Sequence, residues 1–494
     1  MKPHRDITSL ALAILKRLSL ENQACFLFAS LQSAKECLDY STSPRRNKGA
    51  NKKTVAYHQI QIRAFRVKDR IYAVVFPSAN LSVVSGFWST PGVGVSSRFA
   101  ETNLAFIDQL VEVELSEDNQ PRSSFEASAH NVLRQRIIHY LRRAVLHPDS
   151  QPRPSAEDIN FFPTGMASIY KPHSYLSKLY QGTTVLFGMA FMNTITAFQE
   201  FGSNYKFFGL GTDNDLGALE TFLNEERDLG RKVQAIWAEF PANPILVTPN
   251  LVRLRALADE YDTVLAIDDT IGSFANIDIM DMTDMLVTSL TKSFNGYADV
   301  IAGSVVLNPS SRRDGELKSL FDEYYVPELF ITDAEAIERN SRDYLTRTIR
   351  LNHNTSCLVD YLHSYAEDPQ SAVHKVHYPS VIDSGVHYRQ FMRRTTPDFT
   401  PGYGCLFSVE LEDLPTTIAF YNNLNVHNSV HLGAPFTLAF AYTMCTYATE
   451  LDWAAKYGLK RTQIRISAGL EDTGILLEDF RIAVEAANKV KHSG

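Results

Sequence analysis

The sequence has few cysteines, no long apolar run and no excess of positive charge, and each shortage excludes a class of protein. Five cysteines are scattered over 494 residues without the spacing of metal ligands, so no metal is expected. Their odd number predicts reduced, buried thiols and an intracellular, cytoplasmic setting. No apolar run reaches membrane-spanning length, so no membrane partner is expected. The net charge of −8 argues against a nucleic-acid partner.

The N-terminal segment superficially has the order of a signal peptide. Lys2 and Arg5 precede the apolar stretch 10–15. Lys16 and Arg17 follow at once, however, and no small-residue cleavage site appears. The pattern favours an amphipathic helix.

Between about 160 and 310, short apolar strands alternate with helical stretches. Strand candidates are 184–187, 233–239, 264–268, 285–289 and 300–307. A helix is predicted over 250–261, and another, before this region, over 123–146. Alternation of this kind predicts a mostly parallel sheet with helices packed against it. Active sites of such folds lie beyond the carboxyl ends of the strands.

The tetrapeptide Ser289-Leu290-Thr291-Lys292 ends one of these strands. A lysine at the end of a buried strand is desolvated, which makes its amine a candidate Schiff-base nucleophile. Ser289 and Thr291 alternate with Leu290, so both hydroxyls project the same way and could hold a phosphate. These are the needs of a pyridoxal phosphate site, although a strand end with an exposed lysine fits the tetrapeptide alone.

Two further signals fit the same cofactor. Asp268 ends the apolar run 264–267, and a carboxylate at the mouth of a buried strand is costly unless it is paired. A pyridinium nitrogen is a suitable partner, and a solvated turn aspartate is the alternative. Gly165 and Met166 open a helical stretch, where backbone N–H groups bind phosphate. Many ordinary helices also begin with Thr-Gly.

Taken together, these residues resemble the Cys/Met-metabolism family of pyridoxal phosphate enzymes, the cystathionine γ-synthase group of fold type I. The resemblance extends over about residues 90–480. It is carried by five motifs in the family's order: Thr164-Gly165-Met166-Ala167, Glu239-Phe240-Pro241-Ala242-Asn243-Pro244, Asp268-Asp269-Thr270, Ser289-Leu290-Thr291-Lys292 and Arg465-Ile466-Ser467-Ala468-Gly469-Leu470-Glu471-Asp472. The segments 239–241 and 96–101 are most similar to the fungal branch, which includes enzymes of secondary metabolism.

The resemblance implies an α/β fold in three parts. Residues 1–125 would form an N-terminal region with an inter-subunit arm. Residues 126–325 would form the pyridoxal phosphate-binding domain around the mostly parallel sheet. Residues 326–494 would form a smaller C-terminal α+β domain. The unit would be a homodimer or homotetramer with shared active sites.

The resemblance also implies a role for each matching residue. Lys292 would bond the cofactor and shuttle protons, and Asp268 would pair with the pyridinium nitrogen. The other expected cofactor contacts are Asn243 at the phenolic oxygen, Gly165, Met166, Ser289 and Thr291 at the phosphate, and Arg98 at the phosphate of the neighbouring subunit. Arg465 would clamp the substrate carboxylate, because its planar fork suits a bidentate contact.

Two departures from the family pattern concern the incoming nucleophile. Phe191 stands where the family usually has a tyrosine stacked on the ring, so stacking survives and the hydroxyl is lost. His431 replaces a usual serine near the substrate carboxylate. With its ordinary pKa of about 6.5, a histidine there could deprotonate a carbon acid at neutral pH. A packing role for His431 is the alternative.

The expected activity is γ-replacement on an O-acyl-L-homoserine. A carbon or nitrogen nucleophile is favoured over sulfur because of Phe191 and His431. The alternatives are cystathionine γ-synthase proper, which uses cysteine, a β- or γ-elimination lyase, and a catalytically inactive interaction protein. The presence of both Lys292 and Asp268 argues against an inactive interaction protein.

Overall fold

A computed structural model describes residues 3–43, 53–115, 125–149 and 152–493. Within these ranges three β-sheets succeed one another along the chain, with four, seven and five strands. Each sheet is accompanied by helices that cover its apolar faces. No helix of the described residues is both long and apolar enough to cross a bilayer.

The N-terminal region is built on the four-stranded sheet, in the order β1-β3-β2-β4. Its elements are α1 (Arg5–Arg17), β1 (Gln23–Phe28), α2 (Leu31–Thr42), β2 (Gln61–Arg66), β3 (Arg70–Pro77), α3 (Leu81–Ser89), α4 (Ser97–Leu104) and β4 (Val111–Val113). Helix α1 buries Ile7, Leu10 and Ile14 on one side, which confirms the predicted amphipathic helix.

The middle region is built on the seven-stranded sheet. Its elements are α5 (Ser128–Arg142), β5 (Ile159–Phe162), α6 (Gly165–Tyr180), β6 (Thr183–Phe187), α7 (Met192–Phe201), β7 (Asn204–Phe208), α8 (Asp213–Asp228), β8 (Val233–Glu239), α9 (Leu251–Glu260), β9 (Val264–Asp268), α10 (Ser273–Asn276), β10 (Met285–Thr288), β11 (Gly303–Leu307), α11 (Asp314–Tyr324) and α12 (Ile331–Asn340).

The C-terminal region carries the five-stranded sheet, in the order β12-β13-β16-β15-β14. Its elements are α13 (Tyr344–Ala366), β12 (Val373–His377), α14 (Gly385–Gln390), β13 (Leu406–Leu411), α15 (Leu414–Asn423), β14 (His427–Asn428), β15 (Leu438–Phe440), α16 (Tyr442–Thr446), α17 (Leu451–Lys456), β16 (Gln463–Ser467) and α18 (Thr473–Lys491). The two boundaries expected from the sequence, after residues 125 and 325, stay predictions.

The central sheet has the order β5-β11-β10-β9-β8-β6-β7. Strands β10, β9, β8, β6 and β7 pair in parallel, while β11 is antiparallel to both β10 and β5. This arrangement confirms the mostly parallel sheet and the α/β fold. The parallel strands all end at one edge, so residues that follow them converge there.

Both faces of the central sheet are buried, which explains the unbroken apolar runs in its strands. In β9, Val264 and Ala266 join the hydrophobic core on one face, and Leu265 and Ile267 join the core on the other. Alternate side chains of a strand point to opposite faces, so a strand covered on both sides must be apolar throughout. Only its last residue, Asp268, is polar.

Paired charges hold the N-terminal region against α6. The buried Lys171 of α6 donates hydrogen bonds to Ser33 Oγ at 3.0 Å and to Glu36 Oε2 at 2.9 Å, both on α2. Ser33 in turn donates to Glu328 at 2.7 Å. A buried ammonium group is tolerated only with such partners. The network therefore fixes the N-terminal region next to the helix that opens at Gly165.

Two predicted elements have different bounds in the structure. The helix expected over 123–146 spans Ser128–Arg142, and Ala144 has a left-handed φ of 49°; residue 123 lies outside the described residues. The strand expected over 300–307 begins only at Gly303. Ala302 exchanges hydrogen bonds with Thr291 instead of a neighbouring strand, and this delays the start of β11.

Candidate active site

The strand ends of the central sheet form one wall of a cavity of about 580 Å³. Glu239 ends β8, Asp268 ends β9, and Lys292 lies four residues beyond β10. Residues of the N-terminal and C-terminal regions form the other walls. Every site residue predicted from the sequence lines this cavity: Arg98, Gly165, Met166, Phe191, Asn243, Asp268, Ser289, Thr291, Lys292, His431 and Arg465.

Lys292 is partly buried, and its Nζ lies 3.1 Å from Nδ1 of His431. Burial, followed by the positive charge of Arg465, lowers the pKa of Lys292 from 10.5 to about 8. A larger fraction of the amine is therefore neutral near pH 7 than for a lysine in water. The neutral amine is the form that attacks an aldehyde or accepts a proton.

Asp268 shares the strand-end edge with a second carboxylate, Glu239. Asp268 accepts a hydrogen bond from the Thr270 N–H at 2.9 Å, and burial raises its pKa. Glu239 accepts from the backbone N–H groups of Phe191 at 2.7 Å and Asn243 at 2.9 Å. Burial and then the charge of Asp268 raise the pKa of Glu239. Two adjacent buried carboxylates favour a cation between or beside them.

Glu239 was not predicted as a site residue, although it begins one of the family motifs. The available signal was the same as for Asp268, because Glu239 also ends an unbroken apolar strand. Its two backbone bonds fix the loops that carry Phe191 and Asn243, so it organises both sides of the cavity. The structure thus adds Glu239 as a residue that positions two others.

The cradle expected for a phosphate is formed by the start of α6 and the turn after β10. Thr164 caps α6 by accepting the Ala167 N–H at 2.9 Å. A Cβ placed on Gly165 would stand 2.5 Å from Ser289 Oγ, so only glycine allows the helix start to approach Ser289 this closely. The exposed N–H groups of a helix start favour an anion at this point.

Thr291 lines the cavity, but its hydroxyl is engaged elsewhere. It donates to the carbonyl oxygen of Ala302 and accepts from the Ala302 N–H, both at 3.1 Å. One lone pair remains on that oxygen, and a lone pair cannot donate to a phosphate. Thr291 as placed therefore supports the cradle, whereas Ser289 faces it.

Arg465, on β16, reaches the cavity from the C-terminal sheet and is 4% exposed. One of its Nη groups donates to Asn243 Oδ1 at 2.9 Å, and the other donates to the Val430 carbonyl oxygen. These bonds fix the plane of the guanidinium with part of its five-donor fork still available. The arrangement suits a carboxylate ligand, and it ties Arg465 to Asn243 directly.

Phe191 precedes α7 and is 39% exposed, so one side of its ring faces open space in the cavity. Arg98, near the start of α4, donates to the Asp299 carbonyl oxygen at 2.9 Å and to Asp333 Oδ1 at 3.3 Å. These partners place Arg98 at the cavity of its own chain. Its expected contact with a neighbouring subunit stays a prediction.

The expected pKa of His431 needs correction. Burial, then the positive charges of Lys292 and Arg465, lower the pKa of His431 from 6.5 to about 3. The ring is therefore neutral at pH 7, as expected, but it is a weaker base than an ordinary histidine. Its Nε2 is buried without a hydrogen-bond partner among the described residues.

No group of three or more His, Cys, Asp or Glu side chains in the described part of the chain could hold a metal ion.

Comparison with known proteins identifies the class and the family of this chain. Residues 154–485 match the family model described as Cys/Met metabolism PLP-dependent enzyme. Residues 6–96 match the fungal trans-sulfuration enzyme N-terminal domain. These matches establish first the class: the protein is an enzyme that depends on pyridoxal phosphate, with the fold type I architecture. Within that class, the chain belongs to the Cys/Met metabolism family, in its fungal cystathionine γ-synthase-like branch.

Individual relatives support this assignment. The alanine racemase ungC of Aspergillus violaceofuscus is 35% identical over a match of 438 residues, and the match covers 85% of this chain and 74% of the relative. The cystathionine gamma-synthase-like enzyme iboG2 of Amanita muscaria is 34% identical over a match of 482 residues, and the match covers 85% of this chain and 77% of the relative. Because the family consists of enzymes, the alternative of an inactive interaction protein is set aside.

The fold also matches solved structures. The cystathionine gamma synthase of Xanthomonas oryzae pv. oryzae, in complex with aminoacrylate and cysteine, superposes with a TM-score of 0.60 at 19% identity. The match covers 76% of this chain and 91% of that one. At this identity the similarity concerns the fold.

The residues present fit pyridoxal phosphate. The absence of a Cβ on Gly165 lets the helix start lie close to Ser289, and the two together suit the phosphate. Asp268 is partly buried and burial raises its pKa, so a protonated ring nitrogen beside it would stabilise its carboxylate. The lowered pKa of Lys292 suits an amine that bonds an aldehyde. The three features line one cavity.

Proposed function

We propose that this enzyme performs γ-replacement on an O-acyl-L-homoserine and joins its four-carbon amino-acid unit to a small nucleophile. The observation that carries the proposal is the presence of Lys292, Asp268 and Arg465 around one cavity. Together they offer a base, a partner for the cofactor ring and an anchor for an amino acid. The proposal includes a cytoplasmic location, supported by the odd number and the scattered positions of the five cysteines.

The cofactor would be held by residues from three strand ends and one helix start. Lys292 would bond its aldehyde carbon, Asp268 would pair with its ring nitrogen, and Asn243 would contact its phenolic oxygen. Gly165, Met166 and Ser289 would hold its phosphate, with Thr291 as support. Pyridoxal phosphate, when bound, supplies a ring that stores the electron pair left on the substrate α-carbon.

The substrate is anchored at Arg465. Two parallel N–H donors of a guanidinium match the two oxygens of an α-carboxylate. The bond from Arg465 to Asn243 fixes the guanidinium plane before the substrate arrives, which reduces the entropy that binding costs. Lys292, on the same cavity and freed when the amino group of the substrate takes its place, would then remove the α-proton. After passing that proton on, it would remove a β-proton as the γ-acyloxy group leaves and makes room for the nucleophile.

The second substrate enters beside Phe191 and His431. The open face of Phe191 offers stacking and no proton, so it favours a nucleophile that needs no tyrosine hydroxyl. We therefore favour a carbon or nitrogen nucleophile. The similarity to iboG2, which is named a cystathionine gamma-synthase-like enzyme, agrees equally with a carbon or nitrogen nucleophile and with cysteine.

A second candidate function is amino-acid racemisation, favoured by the 35% identity to the alanine racemase ungC. Racemisation needs Lys292 to remove the α-proton and a proton to return to the opposite face of the substrate. It needs no leaving group. Elimination of the γ-group without replacement is the remaining alternative.

One panel of reactions separates these functions. The holoenzyme is offered O-acetyl-, O-succinyl- and O-phospho-L-homoserine, each with a thiol, an amine or a β-keto compound, and the products are identified by mass. L-Alanine is offered alone and analysed on a chiral column. A joined product supports γ-replacement, 2-oxobutanoate alone indicates elimination, and D-alanine alone indicates a racemase. Lys292→Ala is the control and should form none of these products.

A further inference from the structure

The contact between Lys292 and His431 is a feature that binding the cofactor and anchoring the substrate do not require. Nζ and Nδ1 lie 3.1 Å apart, although the two residues are 139 positions apart in the chain. Lys292 has a single amine lone pair, so it can accept a second proton only after it has passed on the first. His431 is a proton acceptor in direct contact with it.

The tautomer of His431 follows from this contact. An ammonium group on Lys292 has only donors, so Nδ1 of His431 must be the acceptor, and the proton of the neutral ring is on Nε2. Nε2 is buried and has no hydrogen-bond partner among the described residues. A buried donor without a partner costs about 1–3 kcal/mol, so Nε2 keeps its proton at that cost while Nδ1 serves Lys292.

We propose that His431 carries protons for Lys292: Nδ1 takes the proton that Lys292 has removed from the substrate and then releases it into the cavity that both residues line. This rests on the proposed removal of substrate protons by Lys292. The step balances, because the ammonium group of Lys292 becomes an amine and neutral His431 becomes imidazolium. The imidazolium then loses its Nδ1 proton to water or to the departing carboxylate, which restores the starting tautomer.

The two charges that weaken His431 as a base both change during this step. Lys292 loses its own positive charge as it hands over the proton. The carboxylate of a bound amino acid cancels the charge of Arg465, the other cation that lowers the pKa of His431. Burial, the largest cause of the lowered pKa of His431, remains, but the loss of these two charges makes proton transfer from Lys292 easier once substrate is bound.

The test uses His431→Asn, because the asparagine side chain still offers an acceptor to Lys292 but cannot carry a proton. The matched control is His427→Asn, in β14 four positions earlier, where the histidine is exposed and packs on Phe436. Substrate deuterated at the α-carbon is converted in ordinary water. The fraction of deuterium retained at the α-carbon of product and recovered substrate is measured by mass spectrometry.

If His431 carries the proton away, His431→Asn leaves the deuteron on Lys292 for longer, so more of it returns to the α-carbon. We expect higher retention in His431→Asn, together with a loss of kcat of about a hundredfold that added imidazole partly restores in His431→Gly. His427→Asn should match the wild type. Equal retention in all three proteins would overturn the proposal, even if His431→Asn were slow.

A second measurement does not depend on turnover. In the cofactor-free protein, Lys292 is labelled with an amine-reactive reagent over a pH series, and the labelled peptide is quantified. Since Nδ1 accepts from the ammonium form, His431→Ala should lower the pH at which labelling reaches half its maximum, and His431→Asn should not. An unchanged midpoint in His431→Ala would contradict the contact itself.

Failure of the proposed function can be distinguished from failure of the proton-carrying role of His431. If the wild type exchanges the α-deuterium of L-alanine but forms no γ-replacement product, the proposed function is wrong. The proton-carrying role of His431 is then tested by the fraction of deuterium that remains at the α-carbon of L-alanine. If γ-replacement occurs and retention does not depend on His431, the proposed function stands and the proton-carrying role is wrong.

Discussion

Glu239 and Asp268 are direct register partners at the carboxyl ends of two neighbouring parallel strands, β8 and β9. Burial, and then the charge of Asp268, raise the pKa of Glu239, and burial raises the pKa of Asp268. Glu239 is tied to two backbone N–H groups, while Asp268 lies near enough to Lys292 for the ammonium charge to stabilise its carboxylate. Glu239 therefore positions the neighbouring loops, and we propose that Asp268 pairs with the cofactor nitrogen.

These separate roles predict different results for two isosteric substitutions. Asp268→Asn removes the charge that holds the ring proton and should lower kcat by at least about a hundredfold. Glu239→Gln keeps one acceptor for a backbone N–H and should reduce kcat far less. Steady-state kinetics at saturating pyridoxal phosphate compare the two. Wild-type turnover in Asp268→Asn would show that Asp268 is not the partner of the ring.

The lowered pKa of Lys292 predicts how stability of the cofactor-free protein changes with pH. The folded protein has a pKa of about 8 for this amine, and the unfolded chain has 10.5. Between these values the unfolded chain binds more protons, so this group makes the free energy of unfolding rise with pH. Lys292→Met should be more stable than the wild type at pH 7, by about 1–2 kcal/mol.

Urea unfolding of both cofactor-free proteins at several pH values between 7 and 10.5 checks this prediction. The stability difference should shrink as the pH rises through the window, since the wild-type amine is then neutral in both states. Taking the difference cancels the other titrating groups. If the difference in free energy of unfolding between the two proteins stayed constant over this pH range, Lys292 would have an ordinary pKa.

Arg465 should determine affinity for the amino-acid substrate. Arg465→Ala loses a charged bidentate contact, which we expect to raise KM for the acyl-homoserine about ten- to a hundredfold. Arg465→Lys keeps the charge but loses the planar guanidinium, so its KM should lie between those of the wild type and Arg465→Ala. Initial-rate kinetics separate KM from kcat. An unchanged KM in Arg465→Ala would place the substrate carboxylate elsewhere.

Arg98 tests whether active sites are shared between subunits. If Arg98 of one copy serves the phosphate of another, mixing inactive Arg98→Ala and Lys292→Ala subunits should restore part of the activity. Some sites of each mixed oligomer then carry both residues intact. The mixture is verified by differently tagged subunits before assay. No recovery would indicate that Arg98 acts at the cavity of its own chain, where it bonds Asp299 and Asp333.

Phe191 should influence which nucleophile is used. Phe191→Tyr restores a hydroxyl beside the ring and leaves stacking nearly unchanged. If phenylalanine favours a non-sulfur nucleophile, this variant should form a larger share of cystathionine when cysteine competes with an amine or a β-keto compound. Product ratios by mass spectrometry provide the measurement. An unchanged ratio would remove Phe191 as a reason to doubt cysteine.

Much of the site could be predicted because it lies on strand ends of the central sheet. The predicted strand 264–268 and the observed β9 (Val264–Asp268) coincide, as do 233–239 and β8 (Val233–Glu239). Strands covered on both faces are apolar throughout, so the first polar residue marks the edge of the sheet. That pattern located Asp268 and the turn to Lys292 without any tertiary information.

Other properties of the site depend on contacts between residues distant in the chain. The sequence does not show that the hydroxyl of Thr291 bonds Ala302, because this depends on how the turn after β10 meets the start of β11. The pKa of His431 could not be predicted either. It depends on burial and on two cations, Lys292 and Arg465, that the fold brings to the ring.

The sequence by itself determined the family, the parallel sheet and the identity of the lysine and the aspartate, since these follow from local apolar patterns and short motifs. Only the tertiary structure decided that Glu239 adjoins Asp268 and that His431 contacts Lys292. The register of β8 and β9 brings Glu239 next to Asp268. The packing of the C-terminal sheet on the strand-end edge brings His431 to Lys292, although the two are 139 residues apart in the chain. No local sequence pattern encodes a contact between residues so far apart.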